Sequence, residues 1–178
     1  MPKPYFNDKN KIKEILMVNH AGEFGAQRIY QGQLAFTKSV SDRSIIQHML
    51  EQELKHLEYF EKEIKNGRSK PTFLLPLWSA LGYGLGALSA IAGPRTSMLV
   101  TESVEEVIVN HYQEQIEYLK SNGHNKQLLM KIKQFKQEEA EHIEIAIKND
   151  SKNALLHNAL SKIVKTMCNI AIYLSKKV

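Results

Sequence analysis

The sequence predicts an all-α fold of long antiparallel helices, and three observations carry that expectation. Prolines occur only at positions 2, 4, 71, 76 and 94, so two long stretches, 5–70 and 95–178, are free of them. Both stretches carry apolar residues at the spacing of a helix face. Between the periodic runs stand clusters of turn and cap residues: Ser41-Asp42, Asn66-Gly67, Ser121-Asn122-Gly123 and Asn149-Asp150-Ser151. Helices are therefore expected at about 9–39, 42–66, 96–122, 125–149 and 153–176. The connections are short, which makes consecutive helices antiparallel neighbours. At 178 residues the chain forms one domain, 1–178, large enough to bury a core without covalent staples.

Composition narrows the setting. Cys168 is the single cysteine, so no intrachain disulfide forms and a reducing compartment suits the chain. The N-terminal MPKPYFNDKNK is polar, with neither the apolar run of a secretory signal nor the arginine-rich character of a transit peptide. A cytoplasmic setting is the expectation. The formal charge of +5 and pI of about 9.2 suit an anionic surface. The basic residues are dispersed and no nucleic-acid-binding signature accompanies them, so no nucleic acid partner is expected.

Between Lys70 and Arg95 lies PTFLLPLWSALGYGLGALSAIAGP, an uncharged segment, about 71–94, close to the length of a membrane-spanning helix. Pro76 and the glycines at 82, 84 and 86 are poor residues for an isolated helix in water, whereas Trp78 and Tyr83 favour membrane interfaces. Basic residues flank it on both sides, against the one-sided bias of a single span. The segment is therefore expected to dip into or lie in a membrane interface, in preference to a buried core helix or a true span. The Gly82, Gly84, Ala87 spacing lacks the preceding strand of a dinucleotide-binding turn and is set aside.

Glu53-Leu54-Lys55-His56 and Glu139-Ala140-Glu141-His142 each present a carboxylate and an imidazole from one helix face. Such tetrads also arise by chance in a glutamate-rich chain. Their position in the pattern is more telling. The stripe Ile46, Met49, Glu53, His56, Phe60, Ile64 is apolar except at the tetrad, as is Leu128, Ile132, Phe135, Glu139, His142, Ala146. A lone glutamate interrupts each remaining stripe: Glu23 in Ile12, Leu16, Asn19, Glu23, Ala26, Tyr30, and Glu105 in Met98, Thr101, Glu105, Ile108, Tyr112, Ile116. Glu58, Glu61, Glu63, Glu114 and Glu117 fit solvated faces or positions near helix ends. Four inward carboxylates are costly without cations, and two divalent ions would balance them while leaving both imidazoles neutral.

A glutamate from each of two helices and a Glu-x-x-His from each of the other two is the ligand set of ferritin-like di-iron and di-manganese bundles. The expected metal ligands are thus Glu23, Glu53, His56, Glu105, Glu139 and His142, with Glu53 and Glu139 bridging two ions. A carboxylate-rich set suits iron or manganese better than zinc. His111 and Tyr112 are candidate partners that orient the ligands, with a plain core or surface role equally open to His111. His20, His48, His124 and His157 are read as ordinary core or surface histidines. The competing reading puts all these residues on the surface of rotated helices.

With NHAGEFGAQRIYQGQ at 19–33, EQELKHLEYF at 51–60, the PLW-containing segment, VEEVIVNHY at 104–112 and EEAEHIEI at 138–145, nearly the whole chain resembles the di-iron demethoxyubiquinol hydroxylases of ubiquinone biosynthesis. The resemblance implies a ferritin-like four-helix bundle with an added apolar, membrane-interacting helix and a C-terminal helix. It also implies a monooxygenase that uses two iron ions and O2 to hydroxylate the ring of a demethoxyubiquinol, the penultimate step of the pathway, with the same six residues holding iron. Electrons would come from NADH, a partner protein or the quinol itself. The setting implied is peripheral, on the cytoplasmic face of a bacterial inner membrane, beside other ubiquinone-biosynthesis proteins, with a polyprenyl quinol as substrate. One departure stands out: Met17-Val18-Asn19-His20 occupies a place where Arg-Val-Asp-His or Arg-Ile-Asn-His is expected. The alternative function is a ferritin- or rubrerythrin-like ferroxidase bundle with no organic substrate, for which the apolar segment would have no evident use.

Overall fold

The computed structural model describes residues 5–122 and 125–177; Gly123 of the third expected break lies outside them, as do His124, Val178 and the first four residues. Six α-helices follow in order: α1 (Tyr5–Phe36), α2 (Val40–Lys65), α3 (Leu75–Ile91), α4 (Pro94–Asn122), α5 (Lys126–Lys148) and α6 (His157–Ser175), with a 3-10 turn at Ser151–Asn153 before α6. All five expected helices are present within a few residues. The start of α2 is set by Ser39, not by Ser41-Asp42: the Ser39 hydroxyl accepts the Asp42 amide, 3.3 Å away, satisfying a donor of the first turn. Asn125 caps α5 similarly through the Leu128 amide, at 3.1 Å.

Helices α1, α2, α4 and α5 form the four-helix bundle, α3 lies along α1, and α6 lies along α4. Two apolar clusters fill the bundle at different levels. One joins Leu16 of α1, Phe60 of α2, Tyr112 and Ile116 of α4, and Ile132 and Phe135 of α5. The other joins Tyr30, Ile46, Met49, Met98 and Ala146 from the same four helices. Each fully buried large apolar side chain contributes about 1.5–3 kcal/mol. In every helix the inward glutamate falls between its contributions to these clusters, so the polar residues occupy one layer between two dry ones.

The apolar 71–94 segment is a helix that uses its unusual residues for a purpose the sequence does not display. Pro76 sits at the helix start, where its missing N–H is no loss. Glycines 82 and 86 of α3 and Gly32 of α1 let the two backbones touch: a Cβ built on Gly86 would stand 2.0 Å from the Ile29 carbonyl oxygen, and one on Gly32 would stand 2.2 Å from that of Tyr83. Trp78, expected at an interface, is instead buried, its indole N–H donating to Ser175 of α6 at 3.0 Å. The outer face of α3 exposes Leu77, Leu81, Leu88 and Ile91, with Phe73 exposed just before it. No helix among the described residues is long and apolar enough to cross a membrane.

Helix α6 is fastened to α4 by a carboxylate that the sequence pattern does not single out. Glu102 is buried and takes the Ser151 hydroxyl and the Lys152 ammonium, with His157 Nε2 3.6 Å away. Ser103 and Ser161 add a buried hydroxyl contact of 2.9 Å. Burial would raise the Glu102 pKa, but the bonds from Lys152 and Ser151 outweigh it and hold the carboxyl below its ordinary 4.5. Glu63, expected on a solvated face or near a helix end, stands in the last turn of α2, where it is buried and paired with Arg68 at 2.5 Å.

Gly86→Ala should lower the melting temperature, since the added methyl must push the α1 and α3 backbones apart, at about 1–3 kcal/mol. Gly84→Ala, whose Cβ would meet nothing within 4 Å, should leave stability unchanged or raise it by up to ~1 kcal/mol. Equal melting points for the two variants would contradict the close packing. The Glu102 clasp, with its depressed carboxyl, contributes stability that is present above pH 4.5 and is lost as pH falls through the lower folded value. Lys152→Met should therefore cost about 1–3 kcal/mol near neutrality and flatten the acid limb of a denaturation profile.

Candidate metal centre

The structure brings all six sequence-predicted residues into the polar layer of the bundle. Glu23 comes from α1, Glu53 and His56 from α2, Glu105 from α4, and Glu139 and His142 from α5, and all are buried. They form two overlapping groups. Glu23, Glu53, His56 and Glu139 offer one ligand atom each within 4.8 Å of one another, as do Glu53, Glu105, Glu139 and His142. Glu53 and Glu139 belong to both groups. Each imidazole turns Nδ1 toward the carboxylates: His56 Nδ1 lies 3.0 Å from Glu139 and 3.5 Å from Glu23, and His142 Nδ1 lies 3.0 Å from Glu139 and 3.3 Å from Glu53.

Whether these residues fit metal ions can be judged from what the protein leaves unpaired. Both Glu53 oxygens, Oε2 of Glu23, Glu105 and Glu139, and His142 Nδ1 are buried without a hydrogen-bond partner. Glu102, one turn before Glu105, shows how this chain compensates a buried carboxylate with an ammonium and a hydroxyl. Among the described residues no ammonium reaches the central carboxylates. An inward fan of oxygen and imidazole donors is a setting that divalent cations satisfy.

Without cations, protons and imidazolium charge take up the imbalance. Burial and the Glu139 charge push Glu53 well above the usual carboxylate range, and burial with the same neighbour pushes Glu105 up to about 8. Burial opposes charge on both histidines, yet hydrogen bonds and charge from the carboxylates override it. His56 is pushed up to about 12, through Glu139 and Glu23, and His142 to about 11, through Glu139 and Glu53. Against its own burial, the two imidazoles hold Glu139 down to about 2.

A second ring of residues holds the first. The Tyr112 hydroxyl donates to Glu23, and the Tyr30 hydroxyl donates to Glu105 at 2.7 Å. His56 Nε2 lies 2.5 Å from Glu138 and His142 Nε2 2.8 Å from the Gln52 amide oxygen. Sequence reasoning names Tyr112 but misses the roles of Tyr30, Gln52 and Glu138. A signal was present: Tyr30 follows Glu23 at the same spacing as Tyr112 follows Glu105, and Gln52 and Glu138 each immediately precede a tetrad. His111 lies elsewhere, 3.9 Å from Glu114 beside a cavity lined by Lys11, Glu14 and Lys176, and burial with these lysines lowers its pKa to about 4. His20 is buried and His48 exposed, His157 joins the Glu102 clasp, and His124 lies outside the described residues. Asn19, in the stretch that departs from the resemblance, exchanges two amide hydrogen bonds with Gln115, of 2.9 and 2.7 Å.

An apolar cavity of about 120 Å³ lies between α1, α3, α4 and α6. Gly22 and Ala26, which flank Glu23, line it on one side, and Val104 and Ile108, near Glu105, on another. Leu81 of α3 and Met167 of α6 form the outer walls.

Comparison with known proteins identifies the family. Residues 10–175 match the family model described as ubiquinone biosynthesis protein COQ7. The chain is 42% identical over 168 residues to the NADPH-dependent 3-demethoxyubiquinone 3-hydroxylase, mitochondrial, of Dictyostelium discoideum, covering 94% of this chain and 77% of that protein. It is 41% identical to the human protein of the same name, covering 93% and 77% respectively. To the 3-demethoxyubiquinol 3-hydroxylase of Rhodospirillum rubrum it is 38% identical, covering 94% and 78%. A match running through both tetrads, both lone glutamates and the apolar helix places this chain in the COQ7 family of ubiquinone biosynthesis proteins.

Proposed function

We propose that this protein is a di-iron monooxygenase that hydroxylates the ring of a demethoxyubiquinol, the penultimate step of ubiquinone biosynthesis. The observation that carries the reading is the pair of overlapping donor groups sharing Glu53 and Glu139, set against an apolar cavity. Glu23, Glu53, His56 and Glu139 would hold one iron, and Glu53, Glu105, Glu139 and His142 the other. Bound iron supplies the O2 chemistry. The chain's own residues fix the ligands: Tyr30 and Tyr112 hold the outer carboxylates, and Phe135 packs against the His56 ring with centroids 4.1 Å apart. The dry clusters above and below exclude water from the layer. An iron-handling bundle without an organic substrate would leave the cavity without a role.

The quinol is a bilayer molecule, and the exposed apolar faces of α3 and α6 support peripheral docking at the inner-membrane surface. Leu77, Leu81 and Leu88 on α3 and Ile163, Ile170 and Tyr173 on α6 are exposed, and Lys70, Arg95, Lys162 and Lys177 provide basic groups suited to anionic lipid. The Dictyostelium and human relatives carry NADPH dependence in their names, which supports a reduced nicotinamide nucleotide as the electron source.

A strain deleted for the gene should accumulate demethoxyubiquinone, and unchanged quinones would refute the substrate assignment. Glu53→Ala or His142→Ala should lose bound iron and reduce hydroxylation by more than about 100-fold; two irons and full turnover in either would refute the ligand set. Metal uptake displaces protons from His56 and His142, whose folded pKa values near 12 and 11 keep them charged at neutral pH. Loading the metal-stripped protein in weak buffer should therefore release acid, and affinity should rise with pH. Replacing Leu77, Leu81 and Leu88 together by serine should weaken partitioning to anionic vesicles at least about tenfold, leaving iron content unchanged.

A further inference from the structure

The residues around the central six repeat across an approximate twofold relation. Tyr112 of α4 holds Glu23 of α1, while Tyr30 of α1 holds Glu105 of α4. In the same way the residue preceding each tetrad reaches the imidazole of the other: Glu138 of α5 stands behind His56 of α2, and Gln52 of α2 behind His142 of α5. At the tyrosines the two halves are chemically identical. Behind the imidazoles they differ, a carboxylate on one side and a neutral amide on the other.

We propose that Glu138 is a positioning residue that makes the two metal positions unequal, so that the Glu23/His56 position takes its ion first and holds it more tightly than the Glu105/His142 position. The inference rests on the di-metal reading above and deepens it. Both positions draw on the shared Glu53 and Glu139, with one further glutamate and one imidazole each. Their donor sets are therefore matched, and the group behind the imidazole distinguishes them.

A carboxylate only accepts, so His56 Nε2 carries the proton in that contact and Nδ1 is left to face the cluster. A charge-assisted bond at Nε2 makes Nδ1 a stronger donor than a bond to an amide does. Glu138 is held in place: its Oε1 accepts from the Gln134 amide at 3.0 Å while Oε2 lies 2.5 Å from His56. The Phe135 ring against His56 keeps the imidazole from turning away. On the other side Gln52 presents its amide oxygen to His142 at 2.8 Å, giving the same orientation without the charge.

The test uses the metal-stripped full chain, titrated with Fe2+ without oxygen and followed by calorimetry and 57Fe Mössbauer spectroscopy. Wild type should bind in two separated steps and show one iron environment at one equivalent. The isosteric E138Q variant should lose about 10–100-fold at the first step, with the second step little moved, so that at one equivalent both environments appear. Q52E, which adds a carboxylate behind His142, should strengthen the second step and close the gap from the other side. Two equal steps in wild type would overturn the inference, as would variants that shift both steps together or neither. A wild-type chain that takes up no Fe2+ would overturn the di-metal reading itself, and the inference with it.

Discussion

Four carboxylates face one another in the middle of a helical bundle, and among the described residues no ammonium or guanidinium pairs with them. Their mutual repulsion and lost hydration oppose folding unless protons or metal ions intervene. The surrounding structure can be understood as support for that layer. Apolar clusters lie on either side of it, tyrosines tie down the outer carboxylates, and the imidazoles are gripped from behind by residues of the opposite helix. Glu102 marks the contrast within a single helix, since one turn away a buried carboxylate receives a lysine and a serine and serves only to fasten α6.

The arrangement is economical because one rule places each component in duplicate. Helices α1 and α4 each carry a glutamate with a tyrosine two turns later, and α2 and α5 each carry a tetrad preceded by a polar residue. Antiparallel packing then sets each tyrosine against the other helix's glutamate and each preceding side chain against the other helix's histidine. The contacts are long-range although every motif is local. A change in one helix is therefore felt at a central glutamate or histidine carried by another.

Much of this was legible because a helix face repeats at a fixed period: a glutamate interrupting an apolar stripe must point inward wherever its neighbours do. Glu23, Glu53, Glu105 and Glu139 could be picked out for that reason, and the bundle followed from the same stripes. Gln52 and Glu138 carry only the faint signal of preceding a tetrad, since each sits at the margin of its stripe and acts across an interface that only the three-dimensional pairing defines. Glu63 and Glu102 were hidden likewise by partners outside their own helices, Arg68 in one case and Lys152 in the other. The 71–94 segment was recognised as apolar, but its glycines looked like weaknesses, since nothing local reveals that another backbone lies against them.

That backbone contact has a mechanical consequence. Where Gly32, Gly82 and Gly86 meet, no layer of side chains separates α1 from α3, so there is nothing soft to shear or to act as a hinge. Helix α3 cannot swing outward as a flap without dragging the helix that carries Glu23. The side of the apolar cavity built by α1 and α3 is thus one stiff wall, and any yielding there falls to the side chains of α6 opposite.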